Sequence, residues 1–158
     1  MKTGWAMAAA LTAGAAFAQP AAPSLTAPLA QAIVEGCRAH SAAKGQSHAI
    51  AVVDSGGRLV AALRMDGNRS GIMDFAIAKA EAVAAWGFST AQMEASAKET
   101  PGFAQAPGVV TVAGGVPVFA ADGRSLIGAV GVSGEAPADD SACAEAGIEA
   151  AGLASRRR

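Results

Sequence analysis

The sequence predicts an α+β domain, a central and mainly antiparallel sheet flanked by helices. Three observations carry this. Runs of branched apolar residues are joined by the turn motifs Asp54-Ser55-Gly56-Gly57 and Asp122-Gly123, which is hairpin chemistry. The run Ser47 to Asp54 is apolar on both faces, with Ile50 and Val52 on one and Ala51 and Val53 on the other, so helices must cover both sides of the sheet. Segments of helical spacing stand before, between and after these runs.

The elements follow in order. Residues 1–18 have a positive Lys2, an uncharged apolar stretch from Ala6 to Phe17 and an Ala16-Phe17-Ala18 cleavage site. They read as a secretory signal peptide, too short to anchor in a bilayer. The chain is then expected to begin at Gln19 and to fold in the periplasm or beyond. Residues 19–28 are a Pro/Ala linker and a helix start, with Ser24 or Thr26 as cap and Pro28 in the first turn. Leu29, Ile33, Val34 and Cys37 continue that helix, and Gly45 closes it. Ser47 to Asp54 and Arg58 to Met65 form a hairpin. Asp66 to Gly71 is a polar loop, and Ile72 to Trp86 the strongest helix. A break at Gly87 and a cap at Ser89 or Thr90 lead into a short helix ending near Thr100. Pro101-Gly102 and Pro107-Gly108 mark a loop. Strands are expected at Val109 to Val112, Val116 to Ala120 and Ser125 to Ser133, and a last helix from Asp139 to Ala154. Residues 29–154 thus read as one domain, and 155–158 as a frayed basic tail, Arg156-Arg157-Arg158.

Composition excludes several functions. The chain has 158 residues, a formal charge of −1 and no tyrosine. Near-neutrality leaves no footprint for nucleic acid, and no second apolar run could cross a membrane after cleavage. With alanine and glycine abundant, the core must come from small and β-branched residues. There is no C-x-x-C-H for covalent haem, and two distant cysteines with two scattered histidines lack the spacing of structural zinc. Gly114-Gly115 does not lead from a strand into a helix, so it is no dinucleotide fingerprint. Ser55, Ser133 and Ser141 stand in no nucleophile elbow.

Three blocks, IAVVDSGGRLVAALRMDG (50–67), DFAIAKAEAVAAWG (74–87) and GGVPVFAADGRSLIGAVGVSG (114–134), resemble the haem-binding/GlcG family. That family includes HbpS-like haem-binding proteins and the C-terminal domain of PduO-type proteins. The resemblance implies a profilin-like or PAS-like outline that assembles as dimers or larger oligomers. It also implies a role in haem binding or degradation, in redox sensing, or one not yet assigned. In that outline the first and last helices lie side by side. With an even cysteine count and an oxidising compartment, this implies a Cys37–Cys143 disulfide.

Lys79 is the most conspicuous polar residue, because it shares an apolar helical stripe with Ile72, Ala76, Val83 and Trp86. It must snorkel, face a pocket or pair with a carboxylate. It is therefore either a hook for a haem propionate or small carboxylate, a Schiff-base amine, or the partner of Asp54, Asp66 or Asp74. His40 and His48 are the only imidazoles available to haem iron. Arg64 and Asp66 sit where a strand exits into a loop, lining a site or pairing with each other. The leading reading is a secreted, reversible haem- or tetrapyrrole-binding protein. Its groove would lie between the Met65–Gly71 loop and the Ile72–Trp86 helix, with Lys79, Arg64 or Arg69 meeting the propionates. The competing readings are an enzyme acting on a small carboxylate through Lys79 and Asp66, and an oligomeric sensing or docking module without a small ligand.

Overall fold

The central strand alternates in size rather than polarity, and that alternation organises the molecule. In the computed structural model, which describes residues 23–158, β1 (Ala49–Asp54) pairs antiparallel with β2 (Leu59–Arg64) on one side. On its other side it pairs with β4 (Leu126–Ser133), and β4 pairs with β3 (Gly115–Phe119). The open sheet has the order β2-β1-β4-β3, all antiparallel. The expected signal peptide, residues 1–18, and the start of the 19–28 linker lie outside the described residues.

Ile50 and Val52 align across the ladder with Val132 and Val130. Together with Val116 and Val118 they present a large-residue face. Against it pack α1 (Ala27–Ala43) and α4 (Pro137–Ala150), through Ile33, Val34, Cys37, Ala144 and Ile148. Burial of this cluster is the main apolar contribution to stability. The opposite face is built from Ala49, Ala51, Val53, Ala129 and Gly131, and takes α2 (Ser70–Trp86) through Ala76, Ala80 and Val83. Small residues are required there. A Cβ on Gly131 would stand 1.9 Å from the Ala76 carbonyl oxygen and 2.6 Å from the Ala80 nitrogen. The helix axis therefore sits directly on β4.

α1 and α4 also cross closely. A Cβ on Gly147 would fall 2.4 Å from the Ile33 carbonyl oxygen. Next to this crossing Cys37 and Cys143 form the expected disulfide, with Cα atoms 4.7 Å apart. The α+β class, the hairpins and the helices on both faces match the sequence reading.

Three local expectations are corrected. Val109 to Val112 is not a strand. Branched side chains supply propensity but no ladder partner, and Pro107 is held instead against Trp86, whose indole N–H donates to its carbonyl oxygen at 3.2 Å. The last helix begins at Pro137, which suits the first helical turn, and ends at Ala150 rather than Ala154. Residues 155–158 do not fray. Ala154 exchanges backbone hydrogen bonds with Phe119 of the edge strand, and the Arg158 N–H donates to the Gly123 carbonyl. The tail closes part of an edge that Pro117 also blunts.

Candidate functional site

Two polar arrangements stand out, one inside the protein and one on its surface. The internal one centres on Lys79, which has no exposed surface. Its ammonium donates to Asp140 Oδ2 at 2.8 Å and to the Val132 carbonyl oxygen at 2.8 Å, and lies 4.8 Å from the centre of the Phe75 ring. Asp140 Oδ1 accepts the Glu135 N–H at 3.1 Å and lies 3.5 Å from His48 Nε2. That last contact is electrostatic, because Nε2 makes no hydrogen bond. His48 Nδ1 is 2.8 Å from Ser41 Oγ, which is also within reach of the Cys37 carbonyl and of Cys143 Sγ. Burial pushes the His48 imidazole below the ordinary histidine range. The carboxylates of Asp140, Glu135 and Asp139 oppose that shift, and His40 adds to it.

Ser41, His48 and Asp140 follow one another as in a hydrolase, but all three are buried. No substrate reaches Ser41, so the chemistry of this node is internal. It neutralises a buried cation and ties α2, β4, α4 and β1 together.

Lys79 is thus paired, and its partner is not Asp54, Asp66 or Asp74. Asp54 accepts the N–H groups of Gly56 and Arg58 in its own turn, while Asp66 and Asp74 are exposed. Asp140 carried a signal that was missed. It shares a stripe with Cys143, Ala144, Gly147 and Ile148, so it is a charge on an apolar helical face just as Lys79 is.

Arg64 at the end of β2 and Asp66 and Arg69 in the β2–α2 loop are all exposed, whereas Lys79 is buried. Arg64 donates to the Asn68 carbonyl, the Asp66 carbonyl accepts the Ser47 hydroxyl at 2.7 Å, and Arg69 occupies the N-cap of α2. Lys79 and Asp66 do not meet, which removes the geometry needed for paired acid/base work between them. His40 lies in the last turn of α1, and His48 is sealed within the core. Among the described residues no three His, Cys, Asp or Glu side chains converge as a metal site.

The surface arrangement is a groove of about 770 Å³ at the far end of α2 from that loop. Gly87, at φ 79°, ends α2 in the left-handed conformation and turns the chain into α3 (Thr90–Glu99). Ser89 and Gln92 close a reciprocal capping box there, which makes the turn rigid. Trp86, 38% exposed, packs edge-on against Phe88 and Phe103, with ring centres 6.2 and 5.3 Å away. Val116, Pro117 and Phe119 of β3 form the facing wall. The tail forms the rim: Arg157 lies 5.8 Å from the centre of the Phe119 ring, and Arg156 approaches Glu145 at 3.8 Å. Sequence reasoning treated the arginines as a solvated end and Trp86 as the last member of an apolar helical stripe. Only the Phe119–Ala154 bridge brings the two together.

The groove combines aromatic walls with a cationic rim, which suits a flat apolar ring carrying carboxylates. The residues present fit the ring and the acid arms of haem. They do not fit its iron, because no histidine, methionine or cysteine lines the groove.

Comparison with known proteins bears on this reading. The sequence model of the family described as "Haem degrading protein HbpS-like" matches residues 25–149. Among solved structures, a double mutant of Streptomyces reticuli HbpS is 27% identical, with a TM-score of 0.74, covering 91% of this chain and 97% of its own. The structure described as a PduOC:heme complex is 20% identical, with a TM-score of 0.76, covering 85% and 100%. Klebsiella pneumoniae protein ORFY is 21% identical, with a TM-score of 0.75, covering 85% and 96%. At such identities the last two show a shared fold. No curated protein matches the chain. Among the described residues, no helix is long and apolar enough to cross a membrane.

Proposed function

The chain belongs to the HbpS-like family, and from that premise we propose that it is a secreted haem-binding protein that takes up and releases its ligand reversibly in the α2–α3 groove. The observation that carries this reading is the pairing of an aromatic wall, Trp86 and Phe88 facing Phe119, with the arginine rim of the tail. The volume of about 770 Å³ is within the range of small-molecule sites. A disulfide and the signal-peptide pattern of residues 1–18 support work outside the cytoplasm. Self-association is part of the proposal. β2 is a free sheet edge, and its Leu59 is 54% exposed.

Haem, when bound, would supply the redox and ligand-binding chemistry of its iron. The chain's own residues bind and orient. Trp86 and Phe88 offer ring faces and edges to one side of a planar ligand. Arg156 and Arg157 offer paired N–H donors to carboxylate arms. The capped α2–α3 turn holds the aromatic wall in place before any ligand arrives.

The test is titration with haemin, following the Soret band and the fluorescence of Trp86, the only tryptophan in a chain beginning at Gln19. A saturable change with Trp86 quenching is expected, weakened in Arg156→Gln/Arg157→Gln. The absence of any saturable change in the wild type would overturn the proposal. Loss of binding in Arg64→Gln/Arg69→Gln, with the tail variant unaffected, would move the site to the β2–α2 loop.

A further inference from the structure

We infer that the groove recognises a planar tetrapyrrole dicarboxylate by its ring and acid arms and not by its metal, so that the metal-free macrocycle is as good a ligand as haem. The inference rests on the haem reading above and narrows it to a ligand class.

The donors around the groove carry the argument. Strong protein ligands for haem iron are histidine, cysteine, methionine and tyrosine. The chain has no tyrosine. Both cysteines are consumed in the disulfide, fully buried between α1 and α4. His48 has no exposed surface, and its Nδ1 is held by Ser41. His40 is on α1, which contributes nothing to the groove. Met93 is fully buried, Met65 Sδ accepts the His48 N–H at 3.5 Å, and Met73, in the first turn of α2, does not line the groove.

Of the oxygen donors that line the groove, Ser155 offers a neutral hydroxyl, which is not among the strong ligands of haem iron, and the others are engaged. Ser89 and Gln92 satisfy each other in the capping box. The Ser141 hydroxyl donates to the Pro137 carbonyl at 3.1 Å, and Glu145 faces Arg156. A metal at the centre of a bound ring therefore meets carbon, an oxygen with another partner, or at most the neutral Ser155 hydroxyl. The ring meets Trp86, Phe88, Val116 and Phe119 whether or not it holds a metal. The carboxylates meet guanidinium groups that are exposed. The Arg156–Glu145 pair is long and solvent-screened, and gives way to a better acceptor.

The experiment is a Trp86 quenching titration of the processed chain with three probes: haemin, metal-free protoporphyrin, and a metal-free porphyrin with both carboxylates esterified. Haemin and metal-free protoporphyrin are expected to give dissociation constants within about threefold of each other. The ester is expected to bind on the order of tenfold or more weakly, one charge-assisted contact being worth about that factor. The Arg157→Gln variant should weaken both acids to a similar degree, and His40→Ala should change neither. Binding of haemin without binding of metal-free protoporphyrin would overturn the inference and leave the haem reading standing. So would loss of haemin binding in His40→Ala. Binding by none of the probes would overturn both readings.

Discussion

Asp140→Asn removes one charge from the buried node and almost no volume. The amide oxygen can still accept the Glu135 N–H, and the α4 backbone is unchanged. What remains is the Lys79 ammonium, without exposed surface, holding only the Val132 carbonyl and the Phe75 ring. Breaking a buried ion pair in this way costs about 3–5 kcal/mol. For a domain of this size 1 kcal/mol is worth roughly 3–4 °C, so the melting temperature should fall by about 9–20 °C. Lys79→Met should cost less, because the Asp140 carboxylate keeps the Glu135 N–H and has His48 3.5 Å away. The double variant Lys79→Met/Asp140→Asn buries no charge and should recover most of the loss. A coupling energy of about 2 kcal/mol or more is expected between the two sites. The assay is urea unfolding of the oxidised protein at pH 7.5, with melting temperatures measured on the same four proteins. An Asp140→Asn loss under about 1 kcal/mol, or additive single changes, would refute the claim that this pair ties four elements together.

Four further outcomes follow from other parts of the structure. The denatured, non-reduced protein should expose no thiol to Ellman's reagent. Cys37→Ala/Cys143→Ala should lose up to about 4–5 kcal/mol in urea unfolding, since the bond spans 106 residues in sequence. Burial holds His48 below the usual histidine range, so the unfolded chain takes up a proton that the folded one refuses as the pH drops through about 6.5. Stability is thus complete above that range and falls with falling pH until the folded imidazole also titrates; the slope between pH 7.5 and 5 should flatten in His48→Gln. Gly131→Ala places a methyl against the backbone of α2, which cannot move aside as a side chain can, and should cost about 3 kcal/mol or more. An Ala129→Gly control, on the same sheet face, should stay soluble with a smaller loss. Light scattering should give at least a dimer at micromolar concentration, and a monomer mass would remove self-association from the proposed function.

The candidate site was legible only in fragments. Lys79 declared itself as a charge on an apolar stripe, and the helical spacing of Asp140 with Cys143, Ala144 and Gly147 held the same signal for its partner. The pairing did not follow, because 61 residues separate the two and only the register of β4 against β1 sets α4 and α2 over a common point. The groove of the structure lies at the other end of α2 from the β2–α2 loop, where the sequence suggested one. Arg64 and Arg69 are neighbours of that helix in sequence, whereas Arg156 and Arg157 reach Trp86 only after the chain has turned at Gly152 and bridged to Phe119. Val109 to Val112 had strand propensity and became a loop, since a strand also needs a partner and among the described residues none pairs with it.

The sequence by itself determined whatever depends on local period and composition. That covers the helices, the hairpins, a sheet buried on both faces, and a family resemblance spread over three blocks. The outline which that resemblance implies, with an oxidising compartment and an even cysteine count, also implied the disulfide. Tertiary structure alone decided which charges meet, which histidine is sealed from solvent, and where aromatic and cationic side chains form one groove. The division has a physical cause. Local structure follows from the conformational preferences and hydrophobic pattern of adjacent residues. A site is built from side chains distant in sequence, whose separation is set by strand register, helix seating and the glycines that permit close approach.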